Sequence, residues 1–139
     1  MTNVELSRLK RVDLRAAWPD EAAHFTPWLA QQENLELLGE TLGMPLELEA
    51  TERSVGPFAA DILCKDPVSE RWVLIENQLE RTDHDHLGKL VTYLSNLEAK
   101  MAIWISSDPR PEHVAAVSWL NEFTPDDVAF IVVKVEAVK

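Results

Sequence analysis

The sequence predicts an α/β layered domain with a mixed central sheet, its elements running α-β-β-β-α-β-α-β. Three observations predict it. Leu46-Glu47-Leu48-Glu49-Ala50-Thr51-Glu52 alternates apolar with polar, the signature of a half-exposed strand. Phe58–Cys64 and Trp72–Ile75 are two apolar runs joined by the turn-like Lys65-Asp66-Pro67-Val68-Ser69-Glu70-Arg71, which reads as an antiparallel hairpin. Beyond it, helical periodicity alternates with apolar runs, as parallel crossovers require.

Taken in order, Arg8 to Arg15 reads as a short extended or irregular segment, and Trp18-Pro19-Asp20-Glu21 as a turn or first helical start. Thr26-Pro27 is a second start signal, with Thr26 as N-cap and Pro27 at the first helical position. The helix continues through Trp28, Leu29, Leu35, Leu38 and Leu42, with Asn34 as a dividing point and Gly43 as the stop. The alternating strand follows, then Gly56-Pro57 turns the chain into the hairpin. Thr82 opens the next helix, with Asp85 in capping-box spacing and Leu87, Leu90, Val91 and Leu94 at helical intervals. Met101-Ala102-Ile103-Trp104-Ile105 is continuously apolar, as in a strand covered on both faces. Arg110-Pro111-Glu112 starts a helix through Val114, Val117, Trp119 and Leu120, and Val128 to Val135 forms the last strand.

At 139 residues and 46% hydrophobic content, one domain spanning 1–139 is expected, with a core large enough to need no staples. No apolar run approaches a membrane span, and Met1-Thr2-Asn3-Val4-Glu5 lacks the pattern of a secretory signal, so a cytoplasmic protein is expected. The single cysteine, Cys64, falls in a strand as core filling. A formal charge of −11 argues against indiscriminate nucleic-acid binding, although Arg8, Lys10, Arg11 and Arg15 cluster locally.

The chemistry lies in the hairpin. Asp61 interrupts Phe58-Ala59-Ala60-Asp61-Ile62-Leu63-Cys64, and Glu76-Asn77-Gln78 closes the run from Trp72. Period-two alternation puts Ala59, Asp61 and Leu63 on one face of the first strand. On the second it groups Trp72, Leu74, Glu76 and Gln78, with Asn77 opposite. Paired strands would then bring two carboxylates together, each raising the pKa of the other unless a cation or a shared proton intervenes. A divalent metal site is the economical explanation. The rival explanation is that Glu76 and Gln78 lie past the buried end of a strand and meet water; Asp61, flanked by Ala60 and Ile62, weighs against it.

Helix, hairpin carrying D and ExQ, helix, strand: the order resembles the PD-(D/E)XK nuclease superfamily, with its restriction-endonuclease-like core. More narrowly the chain is similar to a bacterial domain family of unknown function within it. The narrower likeness rests on Trp18-Pro19-Asp20-Glu21, Phe25-Thr26-Pro27-Trp28-Leu29, Ile75-Glu76-Asn77-Gln78-Leu79-Glu80-Arg81-Thr82-Asp83-His84 and Trp119-Leu120-Asn121. The resemblance implies that Asp61 and Glu76, with a backbone carbonyl next to Glu76, hold Mg²⁺ or Mn²⁺. It puts Gln78 where the superfamily usually has lysine, so that a neutral amide orients water but supplies no charge.

RecB-like members of the superfamily carry Gln-x-x-x-Tyr on the helix after the ExK strand; here Lys89-Leu90-Val91-Thr92-Tyr93 occupies that place. Lys89 and Tyr93 share a helical face, and two roles are open to Lys89: a solvated surface lysine, or an ammonium delivered to the pocket in the missing lysine's stead. Glu21 best resembles the superfamily's first-helix glutamate, with Glu40 as competitor. His84 and His86, two apart at a helix start, point to different sides and do not form a shared metal site. Asp83 and Asp85 suit a first turn as capping residues, and His24 and His113 show no partners in the sequence.

Two functions follow as expectations. The first is a metal-dependent nuclease acting on DNA through a metal-activated water, with Asp61 and Glu76 as ligands and Gln78, Lys89 and Glu21 as further catalytic residues. The second is a nuclease fold that no longer cuts and serves as a binding module. A homodimer through the region of Trp28 and Trp119, or a partner protein, would supply selectivity.

Overall fold

The computed structural model describes Arg11–Val12 and residues 24–138. Its strands are β1 (Arg11–Val12), β2 (Glu47–Val55), β3 (Phe58–Asp66), β4 (Arg71–Arg81), β5 (Met101–Asp108), β6 (Ala129–Lys134) and β7 (Ala137–Val138). Its helices are α1 (Thr26–Leu29), α2 (Gln32–Leu42), α3 (His84–Leu97) and α4 (Pro111–Phe123). Five strands form one sheet in the order β2-β3-β4-β5-β6, and β1 pairs with β7 separately. The first three strands of the sheet are antiparallel, and β4, β5 and β6 run parallel. The mixed α/β architecture read from the sequence is the one observed, with the β1–β7 pair in addition.

Alternation along the central strands sorts the core into two layers. Val73, Ile75 and Leu79 of β4, with Ile103 and Ile105 of β5, pack against Leu29 of α1 and Leu35 and Leu38 of α2. Leu74, Ala102 and Trp104 pack on the opposite face against Leu90, Tyr93 and Leu94 of α3 and Val117 of α4. Both crossover helices cover one face and the α1–α2 pair covers the other, which is why β5 is apolar on both sides. None of the described helices is long and apolar enough to cross a membrane.

Several caps differ from the sequence reading. Thr26 does not cap α1, because Phe25 before it is already helical (φ −73°, ψ −47°). The Thr26 hydroxyl instead accepts the Asn77 Nδ2–H at 3.1 Å, spending its oxygen on β4. The break between α1 and α2 falls at Ala30–Gln31, and Asn34 reaches back to donate to the Trp28 carbonyl at 2.7 Å. Gly43 ends α2 as expected, in the left-handed region at φ +77°. The N-cap of α3 is Asp83, whose carboxylate accepts the His86 N–H at 2.8 Å. Thr82 is buried one step earlier and bonded elsewhere. Asn121 ties α4 to β6, donating to the Phe130 carbonyl at 2.8 Å and accepting its N–H at 2.7 Å.

Candidate active site

The paired register of β3 and β4 runs from Asp66↔Arg71 to Ile62↔Ile75 and stops there. The next pair would be Asp61 opposite Glu76, on one face of the sheet. At that point side chains take over from the ladder. The Asp61 N–H donates to Glu76 Oε2 at 2.7 Å, and the Asn77 N–H donates to Asp61 Oδ2 at 2.9 Å. Two backbone donors at the opening of the hairpin are thereby satisfied by carboxylates from the opposite strands.

Glu76 is 2% exposed and Asp61 half-buried. Burial, then the Asp61 charge, push the Glu76 carboxyl up to about 8, against the downward pull of the Asp61 N–H and of Lys89. Glu52 raises it further. Glu52 lies between the pairs Thr51↔Ile62 and Arg53↔Ala60, hence across from Asp61 on the other side of β3, and carries a left-handed φ of +49°. The sequence reading missed it. Its signal was parity: within the alternating stretch Glu52 is the one charged residue at the parity of Leu46, Leu48 and Ala50.

Gln78 is buried with both ends of its amide engaged. Its Oε1 accepts the Trp104 Nε1–H at 3.1 Å, and its Nε2 donates to Asp83 Oδ2 at 2.8 Å. The same Asp83 caps α3, so Gln78 links the sheet to the start of the helix that carries Lys89. Bonds from the His86 backbone and ring and from Gln78 outweigh the effect of burial and hold Asp83 below the usual carboxylate range.

Lys89 and Tyr93 border a hollow of about 270 Å³ together with Phe58, His84, Asp85 and Thr92. The Lys89 Nζ lies 3.6 Å from Asp85 Oδ2, and its charge reaches both Glu76 and Tyr93. Tyr93 is buried beneath Phe58, their ring centroids 6.4 Å apart. Burial and the Glu76 charge raise the Tyr93 hydroxyl above its ordinary value, which keeps it a neutral donor.

Glu21 lies outside the described residues. Its competitor Glu40 is exposed on α2 beside a separate hollow lined by Glu36, Gly43 and Met44. His113, without partners in the sequence reading, has two. Its Nδ1 is 2.7 Å from Thr82 Oγ1 and its Nε2 is 2.9 Å from His84 Nδ1. Only the fold brings these groups together, across thirty or so positions of chain. His86 binds Asp83, at 2.9 Å, so the two histidines serve different partners.

Among the described residues, no group of three or more His, Cys, Asp or Glu side chains is gathered as a metal cage. Asp61 and Glu76 form a two-carboxylate oxygen set. That set fits a small hard cation, which keeps several waters and needs one or two carboxylates from the protein.

The mixed five-stranded sheet flanked by helices is an α/β fold shared with a solved endonuclease structure. The chain is similar to a repair endonuclease from Pyrococcus abyssi, with a TM-score of 0.56 and 14% identity over 77% of this chain and 46% of that one. It is also similar to the protein of an EndoMS–dsDNA complex, with a TM-score of 0.50 and 16% identity over 72% of this chain and 42% of that one. The likeness is one of fold, and the chain spans less than half the length of either protein. No protein-family model matches the chain. No curated protein matches it in sequence.

Proposed function

We propose that this chain is a metal-dependent nuclease domain that hydrolyses phosphodiester bonds in DNA, an ExQ variant of the PD-(D/E)XK type. The supporting observation is the opposed Asp61–Glu76 pair: an acidic couple, one member almost fully buried, at the point where the sheet opens. Such a pair is costly to fold around unless a cation or proton is shared between its members. The likeness in fold to a protein complexed with double-stranded DNA supports DNA as the substrate.

Asp61 and Glu76 would hold Mg²⁺ or Mn²⁺, which supplies an acidified water and charge neutralisation at the phosphate. The Lys89 ammonium, close enough to act on Glu76, offsets negative charge developing on the phosphate oxygens. Gln78 acts through position rather than charge, fixing the start of α3 through Asp83. Glu21 is the candidate for a further acidic contribution from the N-terminal region, and a second copy or partner protein would supply selectivity.

The test is incubation of the purified protein with plasmid, single-stranded and branched DNA in Mn²⁺, beside Asp61→Ala and Glu76→Ala. Cleavage by the parent alone is expected; cleavage that survives Asp61→Ala overturns the assignment. A second reading, a nuclease fold that binds without cutting, draws support from Gln78, whose amide is already committed to Trp104 and Asp83. Calorimetric titration with Mn²⁺ separates the two, because a site that has lost its function binds no ion at millimolar concentration.

A further inference from the structure

The proposed reaction leaves one buried polar chain unused. The Arg110 N–H donates to Thr82 Oγ1 at 2.9 Å, and Thr82 Oγ1 lies 2.7 Å from His113 Nδ1. His113 Nε2 lies 2.9 Å from His84 Nδ1, the two rings meeting edge-on at 82°. Thr82 and His113 are both almost fully buried, and His84 is exposed.

Proton accounting along this chain fixes its direction. One lone pair of Thr82 Oγ1 is taken by the Arg110 N–H, a donor that cannot reverse. Among the described residues the buried hydroxyl proton then has one acceptor within reach, His113 Nδ1. His113 therefore carries its own proton on Nε2 and donates it to His84 Nδ1. Burial, then the neighbouring His84 and Arg110, lower the pKa of His113, in keeping with a neutral ring. With Nδ1 occupied as an acceptor, His84 bears its proton on Nε2, at the side of the ring turned away from His113. His84 also borders the hollow that holds Lys89 and Tyr93, whose charges and hydroxyl communicate with Glu76.

We propose that His84 is a substrate-contacting residue, its Nε2–H held by the Thr82–His113 relay so that it donates to a non-bridging phosphate oxygen of a DNA strand lying across this hollow. The same rim carries the Lys89 ammonium, 3.6 Å from Asp85 Oδ2, and the neutral Tyr93 hydroxyl, so a phosphate there would meet His84 beside a cation and a second neutral donor. His113 and Thr82 are positioning residues: they touch no substrate and act by choosing the His84 tautomer. The inference rests on the nuclease reading for its substrate class, and its test does not rest on cleavage.

Binding of a fluorescently labelled DNA duplex is measured by anisotropy in EDTA, where no strand is cut, for the parent and for His84→Ala. The loss of one hydrogen bond to phosphate is expected to weaken binding about tenfold, while calorimetric Mn²⁺ affinity stays at the parent value. In parallel, ¹⁵N spectra of the imidazoles should show His84 as the Nε2–H tautomer in the parent and as a tautomer mixture in Thr82→Val. Equal DNA affinity in His84→Ala, no DNA binding by the parent, or an Nδ1–H tautomer for His84 each overturns the proposal. If the histidine effect on binding is present but Mn²⁺-dependent cleavage is absent, the nuclease reading falls and the phosphate contact stands. Should Thr82→Val fail to fold, the parent spectrum decides the tautomer by itself.

Discussion

Asp61 and Glu76 each hold the other's strand: the Asp61 N–H binds Glu76 Oε2 at 2.7 Å, and Asp61 Oδ2 receives the Asn77 N–H at 2.9 Å. Beyond Ile62↔Ile75 the backbone pairing of β3 and β4 ends, and these two carboxylates bridge the opening. The arrangement gathers negative charge in a place where burial disfavours it. That cost is what supports the site proposed above.

Replacing Glu76 by glutamine should therefore stabilise the metal-free protein. The carboxyl is raised from 4.5 to about 8, so the folded state holds this proton more tightly than the unfolded chain. Its contribution is complete below about pH 4.5 and is lost as pH rises through about 8. At neutral pH Glu76→Gln is expected to gain roughly 1–3 kcal/mol. Urea denaturation of both proteins in EDTA measures it, and the gain should shrink towards pH 4.5.

Gln78 is expected to matter for stability as much as for chemistry. Gln78→Leu leaves the buried Trp104 Nε1–H without its acceptor and removes a donor to Asp83. A loss of about 1–3 kcal/mol is expected. Thermal denaturation followed by tryptophan fluorescence reads it, since Trp104 lies at the lost contact.

Lys89 should separate activity from folding. Its ion pair with Asp85 is long, at 3.6 Å, and the Asp85 partner is largely exposed, so Lys89→Ala should change stability by no more than about 0.5 kcal/mol. If its ammonium offsets phosphate charge, Mn²⁺-dependent DNA cleavage should fall by about a hundredfold. Cleavage at the parent rate would return Lys89 to the status of a solvated surface residue.

The buried histidine predicts an acid-side weakness. His113 has its pKa lowered from 6.5, chiefly by burial, so the folded state favours the neutral ring. The stability it contributes is complete above about pH 6.5 and is lost as pH falls through the lower folded-state value. The melting temperature of the parent should drop more steeply below that pH than that of His113→Gln. Parallel curves for the two proteins would contradict this.

Cys64 should be inert while the protein is folded. It is fully buried, and burial pushes its thiol up to about 12, leaving almost no thiolate at pH 8. A colorimetric disulfide reagent should label it only after denaturant is added.

The sequence by itself determined the layered α/β order, the hairpin and the candidate acidic pair. These rest on local periodicity: alternation specifies which face a strand residue takes, and apolar runs specify which strands are covered twice. The same local rules misassigned Thr26 and Thr82 as caps, because each hydroxyl is claimed by a distant partner, Asn77 in one case and His113 in the other. Tertiary structure alone decided what Gln78 binds, that His113 meets His84, and that Glu52 stands across β3 from Asp61. Each of these depends on groups from different elements meeting at hydrogen-bond or sheet-neighbour distance. Spacing along a chain encodes the direction of a side chain, but its partner is chosen only when the sheet and helices close around it.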